Sequence, residues 1–265
     1  MTRAADGRWS EVGDGVLARR HPELDLTTGL VLGDRRALVV DTRGDARQGA
    51  ELAGAVRMVT ALPLIVVVTH AHFDHCFGTA AFLPCPVFAH PRCRTTLART
   101  ARAQRAEWAT YYRDRGDPVT ADALAATDPP LPDHPVDPEA SVDLGVRAVR
   151  LRHLGRGHTD HDVVVHVPDA EVVFVGDLVE QGAPPDLGDA VVAEWPATLD
   201  ALLALRPAVV VPGHGEPVDA RFVGSQRAGL AEVAALHAAV AAGELDAAAA
   251  TRRSPYPSVP WPSPP

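Results

Sequence analysis

The feature that most constrains this chain is a continuous apolar run, Leu64 to Val68, that empties directly into His70, His72, Asp74 and His75. An uninterrupted apolar run bounded by polar residues reads as a strand buried on both faces. A buried strand that ends in ligand-type side chains brings costly polar groups to the interior, and such groups need a partner. Alternate residues of extended backbone point the same way, so His70 and His72 can reach one metal ion. Past the bend, Asp74 and His75 can reach a neighbouring one.

The rest of a metal site has to come from elsewhere, because a zinc ion takes three or four N, O or S ligands. Three further positions repeat the pattern of an apolar strand running into a small-residue turn that carries a ligand. They are His158 after the strand ending near His153, Asp177 in Val172 to Leu178, and His214 after Val209 to Val211. His90, His153, His161 and His166 are read as packed or hydrogen-bonded residues and not as ligands.

The pattern along the chain predicts strands at Gly15 to Arg20, Thr28 to Leu32 and Ala37 to Asp41, with Gly33-Asp34 turning between the last two. A helix over Asp45 to Thr60 follows, then the buried strand, a short strand at Val87 to Ala89, and a helix from Pro91 to about Tyr112. A proline-rich acidic loop spans Asp128 to Glu139. The second half repeats the layout: strands at Arg147 to His153, Asp162 to Val167 and Glu171 to Val175, a helix over Glu194 to Leu205, and a strand at Ala208 to Val211. An alanine-rich helix, Ala220 to Ala241, closes it, with a shorter one reaching Ala250. Two strand-rich halves with covering helices predict an α/β sandwich of two sheets with helices outside. Residues 1–250 are expected to form one domain with 91–140 as a helical lid. Residues 251–265 form a proline-rich tail, expected to drape over the body through Tyr256 and Trp261.

On these residues the chain resembles the metallo-β-lactamase-fold hydrolase superfamily, of the glyoxalase II-like or general hydrolase branch. The resemblance runs from the early strands to the Gly-His-Gly at 213–215. It implies an αββα sandwich of two mixed sheets with the site along one sheet edge. It implies that His70, His72 and His158 bind a first metal, that Asp74, His75 and His214 bind a second, and that Asp177 bridges them. Two divalent ions are implied, zinc first, with iron or manganese as other occupants. A hydroxide bridging two metals would cleave an ester, thioester, lactone or related bond of a small molecule. Asp74 is the expected catalytic residue, orienting the hydroxide and passing a proton toward the leaving group.

Asp177 also bears on which branch the chain resembles, since true metallo-β-lactamases usually carry Cys or Ser at the matching place. Its presence favours the wider family of ester, thioester, lactone and related hydrolases; a β-lactamase is kept as an alternative, as is the persulfide dioxygenase branch, which holds one iron on two His and an Asp in the same fold. The C-terminal region has few cations, unlike the glutathione-binding helices of glyoxalase II itself. In the expected lid, Trp108, Tyr111 and Tyr112 are candidate substrate contacts, with an arginine of that helix available for a carboxylate.

Composition excludes other classes. A net charge of −9, with no lysine at all, argues against a nucleic-acid partner. Neither the start of the chain nor its apolar runs suggest a membrane segment, so a cytoplasmic location is expected. Three cysteines, Cys76, Cys85 and Cys93, without Cys-x-x-Cys spacing suggest neither a disulfide framework nor a cysteine zinc site. A small-molecule substrate is the expected partner, and a homodimer is compatible with everything read here.

Overall fold

The structure, a computed structural model, describes residues 7–262. Seven strands form the first sheet in chain order: β1 (Trp9–Gly13), β2 (Val16–Arg20), β3 (Thr27–Leu32), β4 (Ala37–Val40), β5 (Leu64–Val67), β6 (Val87–Ala89) and β7 (His134–Pro135). Strands β1 to β4 pair antiparallel, and β4 to β7 pair parallel. Five strands form the second: β8 (Glu139–Asp143), β9 (Ala148–Arg152), β10 (Val164–Val167), β11 (Val172–Phe174) and β12 (Val209–Val211), in the order β12-β11-β10-β9-β8. Here only β11 and β12 pair in parallel.

Two-residue periodicity explains how the sheets stack. On β4 and β5, Leu38, Val40, Ile65 and Val67 face inward, where they meet Val149, Leu151, Val165, Val172 and Phe174 of the second sheet. Their alternates, Val39 and Val66, face outward onto Leu52 and Val56 of α1 (Ala46–Val59) and, with the short α2 (Phe73–Cys76), onto Cys93 and Leu97 of α3 (Pro91–Asp114). Helix α4 (Pro118–Ala126) packs on α3. On the other side, Val164, Val173 and Val210 face Trp195, Leu199 and Leu202 of α5 (Trp195–Leu203) and Val223 and Leu230 of α6 (Ala220–Ala241). The result is an αββα sandwich with three apolar layers, in which each fully buried aliphatic side chain contributes about 1.5–3 kcal/mol. Gly29 on β3 is required by the inner layer, because a Cβ there would lie 2.4 Å from the Phe174 ring.

Strands β1, β7 and β8 carry too few apolar residues to be read from sequence, and α4, nine residues of which four are alanine, shows no apolar stripe. The proline-rich segment expected to be a loop contains β7, which joins the first sheet through Phe88 and Ala89. Strand β8 buries only Val142. Helix α4 is started by Asp117, whose carboxylate accepts from Thr120 N at 3.0 Å, ahead of Pro118. The final helix, α7 (Ala247–Arg253), extends into the segment expected as tail. Beyond it Val259 is buried, Tyr256 donates to the Gln226 carbonyl at 3.3 Å, and Trp261 donates to Thr251 Oγ1 at 2.8 Å. Among the described residues no helix is long and apolar enough to cross a membrane.

Candidate metal centre

Strand direction assembles the site. Strands β4 and β5 run parallel, and β9, β11 and β12 share one direction because β10 is antiparallel to both of its neighbours. Every expected ligand follows the C-terminal end of one of these strands. His70 and His72 follow β5, and Asp74 and His75 sit on α2. His158 lies between β9 and β10, Asp177 sits in the 3₁₀ turn Gly176–Leu178 after β11, and His214 follows β12. A bond from Thr27 N to the Gly213 carbonyl at 2.7 Å and one from Val163 N to the Thr69 carbonyl at 2.9 Å tie the edges of the two sheets together.

All seven side chains converge. One group comprises His70, His72, His158 and Asp177, the other Asp74, His75 and His214; within each, one potential ligand atom per residue lies within 4.8 Å of the others. In the first, His72 Nδ1 stands 3.1 Å from His70 Nε2 and 3.0 Å from His158 Nε2. In the second, His214 Nε2 stands 3.4 Å from His75 Nε2 and 3.3 Å from Asp74 Oδ2. Asp177 faces both groups, with Oδ1 3.2 Å from His75 Nε2 and Oδ2 3.5 Å from His70 Nε2 and 3.4 Å from His214 Nε2. Gly213 makes that position possible, since a Cβ there would lie 1.9 Å from Asp177 Oδ1.

Hydrogen bonds on the far side of the rings decide which nitrogens face inward. His75 Nδ1 donates to Asp41 Oδ2 at 2.8 Å, and His214 Nδ1 donates to the Leu24 carbonyl at 2.8 Å. His158 Nδ1 donates to the Asp186 carbonyl at 3.3 Å. Thr69 spends its hydroxyl proton on Asp41 Oδ2 at 2.8 Å, so its oxygen is left to accept from His70 Nδ1 at 3.1 Å. Each of these Nε2 atoms therefore turns a lone pair to the centre. Converging lone pairs repel one another unless a cation lies between them. Tetrahedral ligands at about 2.0–2.1 Å from zinc stand about 3.3 Å apart, the spacing found here. Asp177 Oδ1 is also buried without a hydrogen-bond donor. The residues fit a pair of metal ions.

The carboxylates of the centre call for positive charge on this side of the rings, which a proton or a metal ion can supply. Burial opposes charge on His75, yet Asp177, Asp74 and Asp41 lift its pKa well above the usual imidazole range. His214 is lifted in the same way against burial, chiefly by Asp177. Burial disfavours the Asp177 carboxylate, but His75, His214 and His70 hold its pKa well below the ordinary value. His70 is pushed well down by burial and by His75.

Asp41 was not among the expected site residues. It stands directly after β4 with a φ of 62°, accepts from Thr69 N at 2.8 Å as well, and is buried. The available signal was a carboxylate closing an apolar strand that runs beside the strand before His70. The four histidines excluded as ligands all stay outside both groups. His161, for example, accepts from Ala71 N at 3.1 Å and contacts Asp160 at 2.7 Å.

A cavity of about 630 Å³ opens over Asp74, Asp177, His72 and His214. One wall is α3, which presents Thr96, Thr100, Gln104, Glu107 and Trp108. Trp108 stacks on Phe73 at 4.4 Å between ring centres. Of the other two expected substrate contacts, neither Tyr111 nor Tyr112 lines this cavity, while Tyr112 lines a smaller one beside Phe73 and Asp74. Tyr112 is buried and its hydroxyl donates to Glu23, while Tyr111 lies under the Arg115 guanidinium at 3.5 Å. They follow Trp108 by three and four residues, so they share its face one turn further along α3, with ring centres 4.9 and 6.4 Å from the Trp108 ring. Among the described residues no arginine lines the cavity either.

Residues 22–214 match the sequence profile of the metallo-beta-lactamase superfamily. The chain is 28% identical over 200 residues to a metallo-beta-lactamase type 2 of Bacillus sp. (strain 170), covering 73% of this chain and 68% of that protein. It is 27% identical over 210 residues to the acyl-coenzyme A thioesterase MBLAC2 of Gallus gallus, covering 70% of each. Among solved structures, a metallo-beta-lactamase from Pontibacter korlensis shares the fold with a TM-score of 0.65 at 20% identity, covering 84% of this chain and 98% of that one.

Proposed function

Because the chain belongs to the metallo-β-lactamase superfamily, we propose that it is a hydrolase in which His70, His72 and His158 hold one divalent metal, Asp74, His75 and His214 hold a second, and Asp177 bridges them. The observation that carries this reading is the position of Asp177, whose two oxygens stand 3.2 to 3.5 Å from imidazole nitrogens of both groups. A set of imidazoles and carboxylates suits zinc first, and iron or manganese next. Bound there, two divalent cations supply Lewis acidity that activates water near neutral pH and polarises a scissile carbonyl.

The protein's own groups do the rest. Asp74 lies on the cavity floor. Burial disfavours its charge, but His75 and His214 hold its pKa below the ordinary value, so it stays ionised. Its carboxylate orients the attacking water, accepts the proton released, and passes it to the departing oxygen or sulfur. Asp41 holds His75 with Nε2 facing the centre, and the Leu24 carbonyl does the same for His214. Helix α3, in the segment 91–140, serves as the substrate-facing wall of the domain, and Trp108 contacts an apolar part of the substrate.

An ester, thioester or lactone is the bond this reading favours, and the similarity to an acyl-coenzyme A thioesterase supports it. Metal content per chain, measured together with hydrolysis of thioesters, lactones, phosphoesters and β-lactams, tests it. Two metal equivalents with turnover of a carboxylic thioester or ester is the expected result. One iron per chain with oxygen consumption and no hydrolysis would overturn it.

A further inference from the structure

We propose that the cavity over the metal centre selects substrates whose end remote from the scissile carbonyl is cationic, with Glu107, Asp186 and Asp189 as the groups that attract it. This inference deepens the hydrolase reading and rests on it. The carboxylates that line the cavity, apart from Asp74 and Asp177, are Asp25, Glu107, Glu180, Asp186 and Asp189. No arginine lines it, and the chain has no lysine.

Most of the nearby guanidinium groups are engaged elsewhere. Arg92 donates to the Asp160 carbonyl at 2.8 Å and pairs with its carboxylate at 3.1 Å. Arg94 donates to the Pro132 carbonyl, Arg105 donates to the Thr127 carbonyl at 2.8 Å, and Arg113 pairs with Asp122 at 3.2 Å. Among the described residues, Asp25 is the one lining carboxylate paired with an arginine, Arg20 Nη2 donating to it at 2.6 Å. Asp189 accepts from His72 Nε2 at 3.2 Å, and Asp186 accepts from Gly188 N at 3.0 Å. Glu107, exposed on α3 beside Trp108, has no hydrogen-bond or ion-pair partner among the described residues.

The cavity is thus polarised. Its floor carries the ligands that would hold cations and stabilise a developing oxyanion, while its rim carries Glu107 and Asp186 without an ion-pair partner among the described residues and Asp189 held only against His72. A cleft lined by one sign of charge concentrates ligands of the opposite sign and repels those of its own. A polyanionic thioester, or an acyl group ending in a carboxylate, would bring its charge against Glu107, Asp186 and Asp189 with no lysine or arginine lining the cavity to receive it. A quaternary or primary ammonium group would meet those carboxylates while its alkyl part lies along Trp108 and Phe73.

The test uses zinc-loaded protein and three thioesters of one thiol and equal acyl length, ending in methyl, trimethylammonium or carboxylate. The expected result is a kcat/KM for the cationic thioester about tenfold or more above that for the carboxylate at low salt, the gap narrowing as added salt screens the rim. Glu107→Gln should lower the cationic-to-neutral ratio about threefold, and Glu107→Arg should lower it further. Equal or faster turnover of the carboxylate, or a ratio that neither salt nor Glu107→Arg moves, overturns the proposal while leaving the hydrolase reading in place. Failure to hydrolyse any of the three, the neutral one included, overturns the hydrolase reading and the selectivity with it.

Discussion

The floor and the α3 wall of the same cavity are built in opposite ways. The floor draws seven side chains from four strand ends in two sheets, most of them buried, and hydrogen bonds behind all five rings hold them in orientation. The wall is one helix whose cavity-facing side chains are mostly polar, with Glu107 exposed and Thr96, Thr100, Gln104 and Trp108 half-buried. A change at the floor disturbs several partners at once, because the groups lie 3.0 to 3.6 Å apart. A change on the wall meets mainly solvent and substrate. On the proposed function, chemistry resides where substitution is costly, and selectivity where it is tolerated.

The sharpest way to break this contrast is Asp177→Ala. It removes the one carboxylate that faces both groups, and the expected outcome is a loss of about 10³-fold or more in kcat with less than two metals retained per chain. Full turnover with two metals would dissolve the distinction between floor and wall. Asp41→Asn comes next. It contacts no cavity atom but takes the anionic acceptor from His75 Nδ1, and metal affinity should weaken about 10- to 100-fold in a chelator competition, with the fold intact by circular dichroism.

On the wall, Trp108→Ala should raise KM about tenfold for an apolar acyl substrate and leave metal content at the wild-type value. A fall in metal content would extend the floor to the helix.

Glu180 gives a smaller, pH-dependent effect. Burial, and then the Asp177 charge, push it up to about 8, whereas an unfolded Glu titrates at about 4.3. Between those values the folded chain keeps a proton that the unfolded chain has released, so this group's contribution to stability is present at low pH and is lost as pH rises through about 8. Denaturation midpoints of chelator-treated protein should show that decline, and Glu180→Gln should flatten it. The smallest effect belongs to Tyr111→Ala, which should change kcat/KM less than about twofold, since the ring packs against Arg115 outside the cavity.

Legibility followed how local each signal was. The strands β4, β5, β10, β11 and β12 were readable because valine-rich runs bury residues on both faces of a sheet. Strand β8 was not, because Val142 is the only fully buried residue in Glu139–Asp143 and no run surrounds it. The clustered His70, His72, Asp74 and His75 announce themselves within six positions. The orienting groups do not: Asp41 is one carboxylate among many, and the Leu24 and Asp186 carbonyls belong to residues whose side chains say nothing about them.

By itself, then, the sequence determined the alternation that stacks two sheets between helices and the donor types that meet at their edge. Both are properties of residue type and spacing along the chain. Tertiary structure alone decided which nitrogens face the centre, that Asp177 reaches both groups, and that the arginines of α3 turn away from the cavity. Those outcomes depend on distances between segments up to 190 positions apart, as for His214 and the Leu24 carbonyl, and no local pattern encodes such distances.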